Sequence, residues 1–72
     1  MDVSAIVYFD QPMTLAGIER VYASSPGNHP MLILEEITPT SWKAALDPRH
    51  TAPIELEELK RLLRLRLGCR TD

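Results

Sequence analysis

The run Ala52-Pro53-Ile54-Glu55-Leu56-Glu57-Glu58-Leu59-Lys60-Arg61-Leu62-Leu63-Arg64-Leu65-Arg66-Leu67-Gly68 constrains this chain more than any other segment. At about 100° per residue, Leu56, Leu59, Leu62, Leu63 and Leu67 fall on one broad arc, with Glu57, Lys60, Arg61 and Arg64 opposite. Acids open the segment and bases close it, which complements the helix dipole. Glu57 precedes Arg61 by four residues, the favourable order for a surface pair. Pro53 suits a first helical turn and Gly68 suits the position just past the last one. The segment therefore predicts a long C-terminal helix with more leucine than a single core stripe needs. Leu65 lies outside the arc and Arg66 lies inside it. As a lid on a monomer, such a helix leaves Leu65 in water and makes Arg66 snorkel outward, and an isolated exposed leucine is ordinary. Covered by another chain, Leu65 gains an apolar contact and Arg66 a carboxylate.

Size sharpens that choice. A chain of 72 residues makes one domain, spanning 1–72. A domain this small buries only about 60% of its unfolded surface, so its core leaves a thin margin. Disulfides, a structural metal or a second subunit are the usual supplements. The single cysteine, Cys69, closes no internal bridge and reads as a free thiol of a reducing compartment. His29, His50 and Cys69 are scattered, with no paired ligand spacing, so no metal or cofactor is expected. Oligomerisation remains, and a homodimer is the expectation.

The net charge of −2 offers no chain-wide attraction to nucleic acid or anionic lipid. The first residues show no basic stretch leading into an apolar one. No run approaches the roughly 18 apolar residues of a membrane span, so a cytoplasmic protein without membrane contact is expected. Locally the charge is uneven: Lys60, Arg61, Arg64, Arg66 and Arg70 are uninterrupted by acid.

The rest of the chain predicts an α+β domain. Val3 to Phe9 is β-branched and aromatic and reads as a strand, apolar on both faces and hence covered on both. Thr14 fits the N-cap of a helix over Leu15 to Ala23, with Gly17 marking a close contact inside it. Ser24 to Asn28 is a turn. Met31 to Ile37 reads as a second strand, with Met31, Ile33 and Ile37 on one face. A parallel pairing of the two strands through a βαβ crossover would leave two open sheet edges. Ser41 to Leu46, capped by Thr38 or Thr40, predicts a short helix around Trp42, with Trp42 as a core anchor. If Met31 to Ile37 were helical instead, the outline would be an all-α helix-turn-helix.

Chemistry leaves less trace. No serine has a nucleophile elbow, and Glu35-Glu36 and Glu57-Glu58 are adjacent pairs whose side chains diverge, so no enzyme is expected. Ser25-Pro26-Gly27-Asn28 matches no phosphate-binding loop. A recognition helix built on Met31 to Ile37 would offer leucine, isoleucine and glutamate where base edges ask for Arg, Asn or Gln. The favoured expectation is a non-enzymatic interaction protein, an inhibitor, adaptor or assembly factor that masks a surface of a larger protein, with an acidic partner engaged by Lys60, Arg61, Arg64, Leu65, Arg66 and Arg70. The alternative is a small DNA-binding regulator that uses the same basic residues on phosphate.

Overall fold

The computed structural model describes residues 3–27, 30–49 and 53–72. Strand β1 (Ser4–Tyr8) is followed by helix α1 (Leu15–Ser24), strands β2 (Leu32–Thr38) and β3 (Ser41–Leu46), helix α2 (Leu56–Leu67) and a short strand β4 (Arg70–Thr71). The strands form one antiparallel sheet in the order β2-β3-β1-β4. The domain is α+β, and its β-α-β-β-α-β order with the third strand inserted between the first two is the doubled split-βαβ, ferredoxin-like topology. His29 and His50, the end of the Ser24 to Asn28 turn and the start of the Ala52 to Gly68 segment lie outside the described residues.

The two expected strands are present, but they are not neighbours. Both run antiparallel to β3, so they point the same way with β3 between them. Alternation explains why β3 is a strand where a short helix around Trp42 was expected. Trp42, Ala44 and Leu46 are buried, Lys43 is exposed and Ala45 half-buried, a period of two that a helix cannot satisfy. Pro39-Thr40, read from sequence as the opening of a helix, is the tight connection of a β2–β3 hairpin, in which Thr38 pairs with Ser41. Hydroxyls close it: Thr38 Oγ1 lies 2.6 Å from Ser41 Oγ and accepts from the Thr40 amide at 3.3 Å. The alanines of this segment favour a helix in isolation. Strand pairing on both sides of β3 overrides that preference.

Both helices lie on one face of the sheet. Ala5 and Val7 of β1 and Trp42, Ala44 and Leu46 of β3 meet Ile18 of α1 and Leu59, Leu63 and Leu67 of α2 in a single core. The opposite face carries neither α1 nor α2, a correction to the expectation that β1 is covered on both sides: Ile6 is half-buried there and Tyr8 exposed. Thr14 caps α1 as expected, its hydroxyl accepting from the Gly17 amide at 3.0 Å. A Cβ on Gly17 would stand 3.1 Å from that hydroxyl, so the close contact expected of Gly17 is with its own cap.

Helix α2 starts at Leu56, which leaves Pro53 ahead of the helix and not in its first turn. Gly68 ends it in the left-handed region, φ 62°, with its amide bonded to the Arg64 carbonyl. That reversal returns the chain to β1 as β4, an element the sequence did not announce. Asp72 then holds Ile6 from both sides, its amide donating to the Ile6 carbonyl and its carboxylate accepting from the Ile6 amide at 3.1 Å.

Candidate functional site

The sheet has two edges of unequal kind. The β4 edge is two residues long, too short to template another chain. The β2 edge is seven residues long and contains neither lysine nor proline. In an antiparallel ladder a residue's amide and carbonyl point to the same side, and successive residues alternate. The Asp47 amide bonds the Met31 carbonyl at 2.9 Å, so Met31, Ile33 and Glu35 turn their main chain towards β3. Leu32, Leu34 and Glu36 therefore turn theirs outward along the free edge.

Beside that edge lies a groove of about 530 Å³ between α1 and β2, bounded by Leu15, Glu19, Tyr22 and Ala23 on the helix and by Pro30 and Met31 leading into β2 with Leu32, Ile33 and Leu34 on the strand. It exists because α1 packs through Ile18 and leans on α2, while the helix-facing side chains of β2, Leu32 and Leu34, remain only half-buried. One strut crosses it. The Tyr22 hydroxyl donates to the Pro30 carbonyl at 2.6 Å, and burial raises the pKa of this phenol against a smaller opposing effect of Arg66. Glu19 is the one charged side chain among the lining residues. Large apolar side chains are exposed around the same rim: Leu15 at 46%, Met31 at 52% and Ile33 at 54%. A groove of this size, mostly apolar with few polar groups, is suited to binding apolar side chains.

The residues expected from sequence to hold a partner are only partly brought together. Arg61, Arg64 and Leu65 share the outward face of α2, and Leu65 is 82% exposed. Arg61 is engaged by Glu58 at 2.8 Å and Lys60 approaches Glu57 at 3.9 Å, so each acid pairs three residues on, where the sequence predicted a Glu57–Arg61 pair. Both spacings are neighbours on a helix surface. Arg64 donates to the Thr71 hydroxyl at 2.7 Å and ties α2 to β4. Arg66, half-buried on another flank, donates to the Pro26 carbonyl at 3.0 Å. Arg70 sits beyond the helix, 3.4 Å from Asp10. Cys69 is buried, its thiol directed at the Leu63 carbonyl at 3.6 Å. Burial raises its pKa, outweighing its own backbone contact and Arg64, which act in the opposite direction.

Met31 to Ile37 is a strand, so the helix-turn-helix outline on which the DNA-binding alternative rested is not formed. Among the described residues no group of three or more His, Cys, Asp or Glu is placed to hold a metal ion. No helix among them is long and apolar enough to cross a membrane. No family model, curated protein or solved structure matches the chain.

Open sheet edges were expected from the sequence, but neither the groove nor which edge is long and unprotected was visible in it. The alternation of Met31, Ile33 and Ile37 was visible, but the strand's place at the end of the sheet depends on β3, which the sequence did not reveal as a strand.

Proposed function

We propose that this protein is a small non-enzymatic interaction domain, of the inhibitor, adaptor or assembly-factor kind, that holds another polypeptide by strand addition along β2. The observation that carries this reading is the outward main chain of Leu32, Leu34 and Glu36 lying beside an apolar groove. Strand addition uses main-chain bonds for affinity and pockets for alternate side chains for selectivity, and this edge offers both. The fold itself argues for no activity, since one topology of this kind serves many unrelated functions.

A second surface has an observation of its own: Leu65 stands almost fully exposed beside Arg61 on α2, which suits an acidic partner with an apolar contact. Site-specific photocrosslinking decides between the two. A photoreactive residue at Ile33 or at Leu65, exposed to lysate of the source cell with and without nuclease treatment, reports which face meets a protein. The expected result is adducts from position 33, abolished by Glu36→Pro, which removes an outward amide without disturbing the core. Adducts from position 65 alone would move the contact to α2. Adducts that vanish with nuclease would replace a protein partner by nucleic acid.

A further inference from the structure

We propose that the strand received by β2 is β2 of a second copy of this chain, paired antiparallel about a two-fold axis through Ile33. This rests on the reading of β2 as the contact edge and goes further by naming the occupant and the register.

The register follows from the side chains of the edge. A two-fold axis perpendicular to the sheet keeps each side chain on its own face, so residues of equal parity meet, and the outward groups of Leu32, Leu34 and Glu36 meet one another. An axis through Glu35 would set Glu35 opposite its own copy in a close pair and is repulsive. An axis through Leu34 would set Glu35 opposite Ile33 and Glu36 opposite Leu32, so that of the run Leu32-Ile33-Leu34 only Leu34 meets an apolar residue, its own copy. An axis through Leu32 would oppose Leu34 to Pro30, which has no amide to donate.

An axis through Ile33 opposes no acid to its own copy and sets Leu32, Ile33 and Leu34 against one another, with Glu35 meeting Met31 and Glu36 meeting Pro30 only at the ends of the pairing. Ile33 meets its own copy on the open face, where it is 54% exposed. Leu32 meets Leu34 of the second copy twice over, and each such pair exchanges both main-chain bonds. Glu36 falls opposite Pro30, whose carbonyl already accepts from the Tyr22 hydroxyl and which has no amide to donate, so this end of the pairing is the weak one. The two Glu35 carboxylates stand about 14 Å apart along the strands, beyond the screening length at physiological salt. Leu32-Ile33-Leu34 is thus self-complementary, with Glu35 and Glu36 of each copy carried to opposite ends of the pairing. On the helix-facing side, Leu32 and Leu34 of the second copy lie next to the groove and cover its open flank. Tyr22, which bridges α1 to Pro30, holds that flank in place.

Cysteine pairing reads the register. Directly opposed residues in a non-hydrogen-bonded pair have Cα atoms about 4.5 Å apart, within the range a disulfide spans. Ile33→Cys alone is expected to oxidise to a covalent dimer on a non-reducing gel. Glu35→Cys alone is expected to remain monomeric on that gel, and to form a mixed disulfide with Met31→Cys. The unmutated chain, whose only cysteine is the buried Cys69, is the control. Hydrogen exchange on that chain gives an independent reading, because the Leu32 and Leu34 amides should slow as concentration rises. Faster self-linking of Glu35→Cys than of Ile33→Cys would overturn the register. A sedimentation profile of a monomer throughout the micromolar range, with freely exchanging Leu32 and Leu34 amides, would overturn self-pairing altogether. Adducts to a different protein from position 33 in that same monomer would leave the β2 edge standing as the contact surface, so the two failures are distinct.

Discussion

Gly68 and Cys69 show how much a single backbone or side-chain environment decides at the end of α2. Gly68 holds φ 62° with nothing within 4 Å of where a Cβ would stand, so substitution there meets no clash and only the intrinsic cost of the left-handed region. Gly68→Ala is expected to destabilise by about 1 to 2 kcal/mol in denaturant melts. The glycine was legible as a helix end because no other residue adopts this conformation so readily. Cys69 was legible only as a free thiol, since its burial depends on β4 folding back. That burial favours the neutral thiol, so the folded chain ionises at higher pH than the unfolded one. The sign follows: stability is intact below the unfolded thiol's pKa of about 8.5 and falls as pH rises past it towards the folded value. Tyr22, also raised by burial, acts the same way at still higher pH. Cys69→Ala should make the alkaline decline of melting temperature shallower. An unchanged decline would mean that the thiol is not responsible.

At the scale of elements, the C-terminal helix separates leucines that sequence alone groups together. Leu59 and Leu63 are fully buried, whereas Leu56 is 40% and Leu65 82% exposed. Leu59→Ala and Leu63→Ala should each cost about 2 to 5 kcal/mol, and Leu65→Ala within about 0.5 kcal/mol, in urea denaturation of the isolated chain. Equal losses at Leu59 and Leu65 would contradict the packing of α2. This helix was readable because its pattern is long and its caps are local. The segment around Trp42 was not, because six residues hold too few periods to separate an alternating strand from a short helix, and Ala44-Ala45 favours the wrong one. What decides it is non-local: Val7 opposite Trp42 on one side and Glu36 on the other. Misreading β3 hid the site as well, since the outward face of β2 is defined by which side β3 occupies.

For the whole molecule, small size and an unprotected edge lead to the same behaviour. A domain of 72 residues has few buried side chains to spare, and here the helix-facing leucines of β2 are only half-covered by α1. Pairing of two copies along β2, one form of the homodimer expected from the sequence, would complete that cover and remove the free edge, and would link folding to association. The outcome expected of such pairing is a stability that depends on concentration. In the regime where the folded species is a dimer and the unfolded one a monomer, each tenfold rise in concentration adds about 0.7 kcal/mol per chain, or roughly 3 to 5 °C in melting temperature for a domain of this size. Ile33→Lys should abolish that dependence, because it places like charges opposite one another at the axis while leaving the core untouched. Its melting temperature should match the low-concentration limit of the unmutated chain. Calorimetry across a hundredfold dilution checks both statements, and a melting temperature of the unmutated chain that does not move with concentration would show that the domain is stable without a second copy.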